Sequence, residues 1–230
     1  MQRRDIVIKG NERRLFMEQR TSVIKSKRSN KITINIIPGH FATNHSHVNY
    51  YIDMTGVKCN QKMAQKAGKV LAQKYVNNTK VDTIICMDGC EVVGGFMAAE
   101  LSANGIGAIN ANSEINIVSP EVNINGQMVF KDNIQSMIWG KNIVLLVASA
   151  TTCKTINRSV ECIKYYGGKI VGISAIFSAN EKSMDGREID AIFKKEDLPH
   201  YCTYSFNDCP DCLAQKKIDA IVSSSGYSKL

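Results

Sequence analysis

Apolar and polar residues follow one another along the chain in short blocks that predict strands and helices in alternation. Short apolar runs predict strands, several of them buried, and apolar residues that recur every three or four positions predict helices. The predicted strands are 32–36, 50–54, 81–87, 106–109, 115–118, 143–147 and 170–176, with short edge strands at 189–193 and 201–206; the predicted helices are 60–77, 92–103 and 156–166. This alternation predicts one α/β domain with a mainly parallel sheet flanked by helices.

The clearest unit of this pattern lies between Ile143 and Ser178. A buried strand leads into a loop rich in hydroxyl groups, a helix follows, and a second buried strand completes the unit. Parallel strands joined by a helix place that loop at the carboxyl edge of the sheet, where open α/β folds bind ligands. Helix N-termini at this edge attract phosphate, so we expect a phosphate group between Thr151 and Thr155. The alternative is that these hydroxyl groups only cap the helix.

A second loop at the same predicted edge comprises residues 88–91. Asp88 is interpreted as a turn residue, and Glu91 as the first residue of a helix whose dipole suits its charge. Both acids could alternatively act as metal ligands. Gly94 and Gly95 near the start of that helix predict a close approach of its backbone to a neighbouring element.

The net charge of +8 is concentrated at the N-terminus. Residues 1–31 hold ten Lys and Arg and three acidic residues, whereas the remaining chain is close to neutral. We therefore predict a basic N-terminal arm, residues 1–31, followed by one domain, residues 32–230. A solvated arm is the favoured interpretation, and contact with nucleic acid through the arm is the alternative.

Membrane association is not expected from this sequence. No apolar run approaches the roughly 20 residues that span a bilayer, and the N-terminus lacks the apolar core of a signal peptide. Eight cysteines without such a signal favour reduced thiols in the cytosol. We therefore expect a cytoplasmic protein.

Two groups of potential metal ligands stand far apart in the sequence. Cys209 and Cys212 form a Cys-x-x-Cys pair, but structural zinc commonly uses two such pairs and the chain has only one. A surface turn is therefore favoured over a metal site. His40, His45 and His47 have spacings of five and two, which fit no standard metal site closely, so a polar loop covering the ligand cleft is favoured over metal or phosphate binding.

Three segments in consistent order resemble the type I phosphoribosyltransferases, and most closely the orotate phosphoribosyltransferases. Residues 49–54 (NYYIDM) resemble the hood segment of that family. Residues 83–95 (TIICMDGCEVVGG) are similar to its pyrophosphate-binding loop and the helix start that follows. Residues 144–172 are similar to the signature that binds 5-phosphoribosyl 1-diphosphate (PRPP). The resemblance implies a parallel sheet with a small hood, formed here by residues 32–59 and the C-terminal residues, and a homodimer.

The same resemblance implies a ribose 5-phosphate ligand, either PRPP or a nucleotide, and a glycosyltransferase role in pyrimidine biosynthesis. The residues that it places around this ligand lie in the two loops already described. They are Asp88, Gly89 and Cys90 in the first loop, and Ser149, Thr151, Thr152, Cys153, Lys154 and Thr155 in the second. No catalytic residue is assigned, and Cys153 is interpreted as a packing residue because no histidine lies nearby in the sequence to activate it.

Several positions depart from the family pattern. Its two acids fall on Ala148 and Ser149, its usual loop glycine falls on Lys154, and its orotate-contacting lysine falls on Thr43. The stretch 109–130, which matches a basic mobile loop, contains no Lys or Arg. Mg²⁺ arriving with PRPP is possible but not favoured by these residues, because hard cations prefer carboxylate oxygens. We expect an orotate-type protein with weak or lost transferase activity; the alternative is a non-catalytic homodimer that senses nucleotides.

Overall fold

The computed structural model describes residue 17 and residues 19–103, 105, 107–123, 127–223 and 226–230. The described chain divides into two compact units. The hairpin unit contains the described residues up to Ile24 together with 33–53 and 200–230, and the parallel-sheet unit contains 25–32 and 54–199. The basic arm predicted for residues 1–31 lies mostly outside the described residues.

Short strands and helices account for most of the described chain. The strands are β1 (Ser22–Lys25), β2 (Thr33–Ala42), β3 (His47–Asp53), β4 (Thr83–Cys86), β5 (Asn116–Val118), β6 (Glu121–Val122), β7 (Met128–Val129), β8 (Asn142–Ala150), β9 (Lys169–Ser178), β10 (Ile189–Lys194), β11 (Thr203–Tyr204), β12 (Ala220–Ser223) and β13 (Gly226–Lys229). The helices are α1 (Thr55–Cys59), α2 (Gln61–Ala72), α3 (Glu91–Ser102), α4 (Asp132–Gln135), α5 (Lys154–Tyr165) and α6 (Pro210–Leu213), with a 3₁₀ turn at Lys195–Asp197.

The parallel-sheet unit confirms the predicted fold class. Its five strands lie in the order β10-β9-β8-β4-β5, and every neighbouring pair is parallel. The central strand β8 is buried along most of its length, as its continuous apolar run predicts. On α5, Ile156, Val160 and Ile163 are buried in the same core as residues of β8 and β9, which explains the helical spacing of these apolar residues.

The hairpin unit contains a second sheet, in which the order of the strands is β11-β3-β2-β12-β13 and β1 also pairs with β2. Strands β2 and β3 form an antiparallel hairpin, with Ile36 opposite Ile52 and Phe41 opposite Val48. The C-terminal segment adds strands on both sides of this hairpin, because β11 pairs with β3 and β12 pairs with β2. Residues distant in the sequence are thereby joined in one small sheet.

The histidine-rich segment differs from its sequence prediction. The strand predicted at 32–36, which Pro38 and Gly39 were expected to terminate, continues as β2 to Ala42 with a shift of register between Pro38 and Phe41. Such an irregularity accommodates a proline, which cannot donate a hydrogen bond to the ladder. His40 and His47 therefore lie in strands, and the polar loop predicted to contain His40, His45 and His47 is reduced to a tight turn between β2 and β3.

One predicted strand is wrong. The described residues of the segment 106–109 form turns: Ala108 donates its backbone N–H to Gly105, and Gly107 has a φ of 77°. A short apolar run does not by itself specify a strand, and here Gly107 and Ile109 are exposed. The sequence of 119–132 favours a loop or a hairpin that contains the turn signal Asn125-Gly126. The segment contains β6 and β7 paired antiparallel, and Asn125-Gly126 lies outside the described residues.

Candidate ligand-binding edge

Two loops leave neighbouring parallel strands at the same edge of the sheet. Strands β4 and β8 are adjacent, with Cys86 opposite Leu146, and the backbone N–H of Met87 donates to the carbonyl of Leu146 at 2.8 Å. Residues 88–90 then lead into α3, and residues 151–153 lead into α5. The carboxyl ends of these strands therefore bring two helix N-termini to one edge, an arrangement suited to phosphate groups.

The hydroxyl-rich loop turns into α5 through a left-handed residue. Cys153 is the N-cap of this helix with a φ of 57°, and its side chain makes no capping hydrogen bond. In the described residues, no hydrogen bond links the hydroxyl groups of Thr151 or Thr152 to the helix. The left-handed position is therefore at Cys153. Lys154, on which the usual loop glycine of the family falls, is the exposed first residue of the helix.

Residues that follow β9 hold this loop in place, and the sequence analysis did not identify them. The side-chain amide of Asn180 donates to the carbonyl of Thr151 at 2.6 Å. The hydroxyl of Ser178 donates to the carbonyl of Asn180 at 2.6 Å. Because β9 lies beside β8, its end supplies these supports, but the sequence alone offers no signal that selects Asn180.

The thiol of Cys153 is packed against the protein and is not presented as a nucleophile. Its Sγ lies 3.7 Å from the carbonyl oxygen of Lys182, and its side chain is buried. Burial raises the pKa of the Cys153 thiol, which disfavours the reactive thiolate. Both observations agree with the packing role expected from the sequence.

The loop at residues 88–91 contains two consecutive left-handed residues, Asp88 with a φ of 59° and Gly89 with a φ of 76°. Aspartate tolerates this conformation better than most residues, as its predicted turn role requires. The following residue, Cys90, is buried and donates its backbone N–H to the carbonyl of Met87 at 3.1 Å. The fully buried Cys90 side chain anchors the loop in the core, and this burial also raises the pKa of its thiol.

Asp88 and Lys58 give this loop its electrostatic character. Burial raises the pKa of the Asp88 carboxyl group, while a hydrogen bond from the backbone of Ala148 and the charge of Lys58 oppose that shift. The Lys58 ammonium also donates to the Asp88 carbonyl at 2.9 Å. Lys58 lies in the five-residue helix α1, which is too short to show a periodic pattern in the sequence. It places a cation beside the loop that resembles a pyrophosphate-binding loop.

The acid positions of the family signature carry no carboxylate in this chain. Ala148 is buried in β8, and Ser149 is half-buried at the end of the same strand. Glu91, the other acid close to these loops, is exposed and accepts a hydrogen bond from the Ser119 hydroxyl at 2.7 Å. A single half-buried carboxylate with a raised pKa, that of Asp88, does not form the oxygen-rich cage of a hard cation. These residues do not fit a protein-held magnesium ion.

In the hairpin unit, the structure brings together residues that the sequence analysis considered separately. His40, His47, Cys209 and Cys212 each offer one ligand atom, and these four atoms lie within 4.8 Å of one another. Cys209 is buried, so the surface turn favoured from the sequence does not describe its position. The group recorded in the described residues does not include His45.

The position that matches the orotate-contacting lysine has a local structural role. The hydroxyl of Thr43 accepts hydrogen bonds from the backbone N–H groups of His45 and Ser46, at 3.1 and 2.9 Å. The Thr43 backbone N–H donates to the carbonyl of Ser46 at 2.8 Å. Thr43 therefore closes the turn between β2 and β3.

Comparison with known proteins gives structural matches only. No family model matches the chain, and no curated protein matches it by sequence. It is similar to a phosphoribosyltransferase from Corynebacterium diphtheriae (17% identity, TM-score 0.48, 70% of this chain and 91% of that one). It is also similar to Mycobacterium tuberculosis H37Rv orotate phosphoribosyltransferase in complex with inorganic phosphate (13% identity, TM-score 0.48, 66% of this chain and 81% of that one). A third match is adenine phosphoribosyltransferase from Thermoanaerobacter pseudethanolicus (16% identity, TM-score 0.48, 77% of this chain and 97% of that one).

The solved structures reported above are all named phosphoribosyltransferases. At this level of identity, the likeness does not assign an activity to the chain. Among the described residues, the helices are all too short or too polar to cross a membrane.

Proposed function

We propose that this chain is an orotate phosphoribosyltransferase-like protein that binds a ribose 5-phosphate ligand, either PRPP or a nucleotide. The observation that carries the proposal is the adjacency of the loops 88–91 and 149–155 at the ends of neighbouring parallel strands. The 5′-phosphate is assigned to the loop at Thr151–Thr155, where the first N–H groups of α5 have no partner within the helix. The diphosphate of PRPP is assigned to the loop at 88–91, beside Lys58.

The transfer reaction is expected to be weak or absent in this chain. It requires preplaced charge that stabilises a departing pyrophosphate and an oxocarbenium-like ribose. The acid positions of the signature are Ala148 and Ser149, and the segment 109–130 contains no Lys or Arg. Removing one preorganised charge contact typically costs about a hundredfold or more in rate. We therefore propose turnover several orders of magnitude below that of an ordinary phosphoribosyltransferase.

The second candidate function is a non-catalytic homodimer that senses or binds nucleotides. The combined changes at Ala148, Ser149 and 109–130 favour it, because they remove charge needed for transfer while leaving the phosphate loop in place. The basic residues of 1–31 that make no ion pair would then offer positive charge to an anionic partner such as nucleic acid. Sedimentation of the purified chain tests the homodimer, and a monomer at micromolar concentration would contradict it.

Calorimetric titration with PRPP, orotidine monophosphate and ribose 5-phosphate tests the ligand. We expect saturable binding of each compound, since all three carry the 5′-phosphate. The Lys58→Ala variant should weaken PRPP binding about tenfold or more, because a charge-assisted contact contributes about 1.5–3 kcal/mol. It should leave ribose 5-phosphate binding nearly unchanged.

The exposed Lys62 provides the matched control, and Lys62→Ala should bind all three compounds as the wild type does. The proposal fails if no compound binds at concentrations up to about millimolar, which corresponds to a binding free energy of only about −4 kcal/mol.

An assay of orotate and PRPP conversion distinguishes the two candidate functions. Slow, magnesium-dependent formation of orotidine monophosphate supports the weak transferase, and binding without turnover supports the sensor. Brisk turnover by the unmodified chain would contradict the weak or lost activity and leave an ordinary enzyme.

A further inference from the structure

The four-residue group in the hairpin unit has the geometry of a small cation site. His40 Nε2 lies 3.0 Å from His47 Nδ1 and 3.4 Å from Cys209 Sγ. Cys212 Sγ lies 3.5 Å from His40 Nε2 and 3.2 Å from His47 Nδ1. In a tetrahedron with bonds of about 2.0–2.3 Å, neighbouring ligand atoms are roughly 3.3–3.8 Å apart. The four atoms are therefore spaced closely enough to share one ion.

The hydrogen bond on the far side of His40 orients its ring for coordination. His40 Nδ1 lies 3.1 Å from the backbone carbonyl oxygen of Lys216, which can only accept a hydrogen bond. Nδ1 therefore carries the proton of the neutral ring, and the Nε2 lone pair points toward His47, Cys209 and Cys212. A metal-bound histidine typically makes this kind of bond from its other ring nitrogen, because the bond fixes the tautomer.

The backbone of His40 is fixed as firmly as its ring. The Asp219 carboxylate accepts a hydrogen bond from the His40 backbone N–H at 2.9 Å, and the Asp219 N–H donates to the His40 carbonyl at 2.8 Å. Arg20 lies 3.1 Å from the same carboxylate. These contacts hold His40 in place before any ion binds.

From this geometry, we propose that His40, His47, Cys209 and Cys212 form a structural site for one Zn²⁺ ion. Two imidazoles and two thiolates are a ligand set that zinc prefers in closed tetrahedral sites. Two thiolates neutralise the charge of the ion, which suits the burial of His40, His47 and Cys209. Binding displaces the thiol protons, one from each cysteine, into solvent.

The ion would join parts of the hairpin unit that are distant in the sequence. His40 lies on β2, His47 begins β3, and Cys209 and Cys212 lie at α6 in the C-terminal segment. Small units of a fold often need such a link, because their cores bury little apolar surface. The zinc therefore links the C-terminal residues to the β2–β3 hairpin.

Zinc content of the purified full chain, measured by elemental mass spectrometry after gel filtration, tests the proposal. We expect one zinc per chain in the wild type and a loss of about tenfold or more in Cys212→Ser and His47→Asn, since each removes one of four ligands. His45→Asn and Cys59→Ser are the matched controls. His45 lies beside the cluster in sequence and Cys59 is an exposed cysteine, and both variants should retain one zinc.

Cobalt substitution keeps the test decisive if the ligand variants fail to fold. The wild-type chain, stripped of metal, reduced and loaded with Co²⁺, should show the intense visible bands of tetrahedral cobalt and a thiolate charge-transfer band in the near ultraviolet. Less than about one tenth of an equivalent of zinc, together with an octahedral cobalt spectrum, would overturn the proposal. Loss of zinc from either control variant to the same extent as from Cys212→Ser would also overturn it.

Discussion

The carboxylate of Asp88 is held against the backbone of Ala148, the position where the phosphoribosyltransferase signature carries an acid. The contact follows from the sheet: β4 and β8 are parallel neighbours, so the residue after one strand end meets the last residues of the other. An acid from the neighbouring loop therefore contacts the backbone at this position, and burial raises the pKa of that acid.

Replacing Asp88 with Asn should stabilise the protein at neutral pH. Burial penalises the charged carboxylate in the native state, and asparagine keeps the left-handed backbone conformation. Since the pKa of Asp88 is raised on folding, the penalty is fully present above that pKa. It disappears as the pH falls below the unfolded-state value of about 3.9. Thermal unfolding of wild type and Asp88→Asn as a function of pH measures the difference.

The matched control for this substitution is Glu91→Gln, which makes the same charge change at an exposed position of the same loop. Its effect on the melting temperature at neutral pH should be smaller than that of Asp88→Asn, because the Glu91 side chain is exposed. If the higher melting temperature of Asp88→Asn persists unchanged at pH values below the unfolded-state pKa, burial of the charge is not the cause of the stabilisation.

Restoring the two acids with Ala148→Glu and Ser149→Asp should not by itself recover full transferase activity. The new glutamate would stand beside Asp88, and two neighbouring carboxylates raise the pKa of at least one of them. The segment 109–130 would still lack Lys and Arg. Magnesium-dependent conversion of orotate and PRPP measures the outcome. Activity equal to that of an ordinary family member would refute the idea that several losses act together.

The two glycines at the start of α3 should respond in opposite directions to alanine. A Cβ at Gly94 would collide with the Sγ of Cys86 on β4, whereas a Cβ at Gly95 would meet nothing within 4 Å. Gly94→Ala should therefore destabilise by about 1–3 kcal/mol through overpacking. Gly95→Ala should stabilise by about 0.5–1 kcal/mol, because glycine is unfavourable inside a helix. Denaturant unfolding of both variants measures these effects.

Cys86→Ala provides the control for the collision, since removing the thiol should restore much of the stability lost in Gly94→Ala. If the two substitutions add independently, the close approach of α3 to β4 at Gly94 is not the cause of the loss.

The parallel sheet could be predicted because its signals are local. Strand β8 reads as an apolar run, and α5 shows Ile156, Val160 and Ile163 at helical spacing, so both were identified with only their ends misplaced. The sequence suggested that both Gly94 and Gly95 allow the backbone of α3 to approach a neighbouring element closely. Only Gly94, which faces Cys86 on β4, has to be a glycine for this reason. Which residue of a pair faces a neighbour depends on packing that the sequence does not display.

The residues that the sequence analysis missed depend on long-range contacts. Lys58 reaches the Asp88 carbonyl from a helix 30 positions earlier, and Asn180 supports Thr151 from the end of the next strand. The candidate zinc ligands were overlooked because only one Cys-x-x-Cys pair was visible. The second pair is His40 and His47, which face each other only after β2 and β3 form a hairpin.

Cys153 should tolerate glycine better than alanine. Its φ of 57° lies in the left-handed region, which costs an ordinary residue about 1–2 kcal/mol and glycine almost nothing. Both substitutions lose the buried thiol, so the difference isolates the backbone conformation. We expect Cys153→Gly to be more stable than Cys153→Ala by about 1 kcal/mol, measured by denaturant unfolding.

Cys162, in the interior of the same helix, supplies the matched control. There alanine should be the better residue by about 1 kcal/mol, because glycine is a poor helix former. The glycine variant should thus be the more stable one at the start of α5, and the alanine variant the more stable one in its interior. Cys153→Gly should also still bind ribose 5-phosphate, since the proposed phosphate contacts are backbone N–H groups and threonine hydroxyls. If glycine is the worse residue at both positions, the left-handed start of α5 is not a feature of the folded protein, and the phosphate loop must have another conformation.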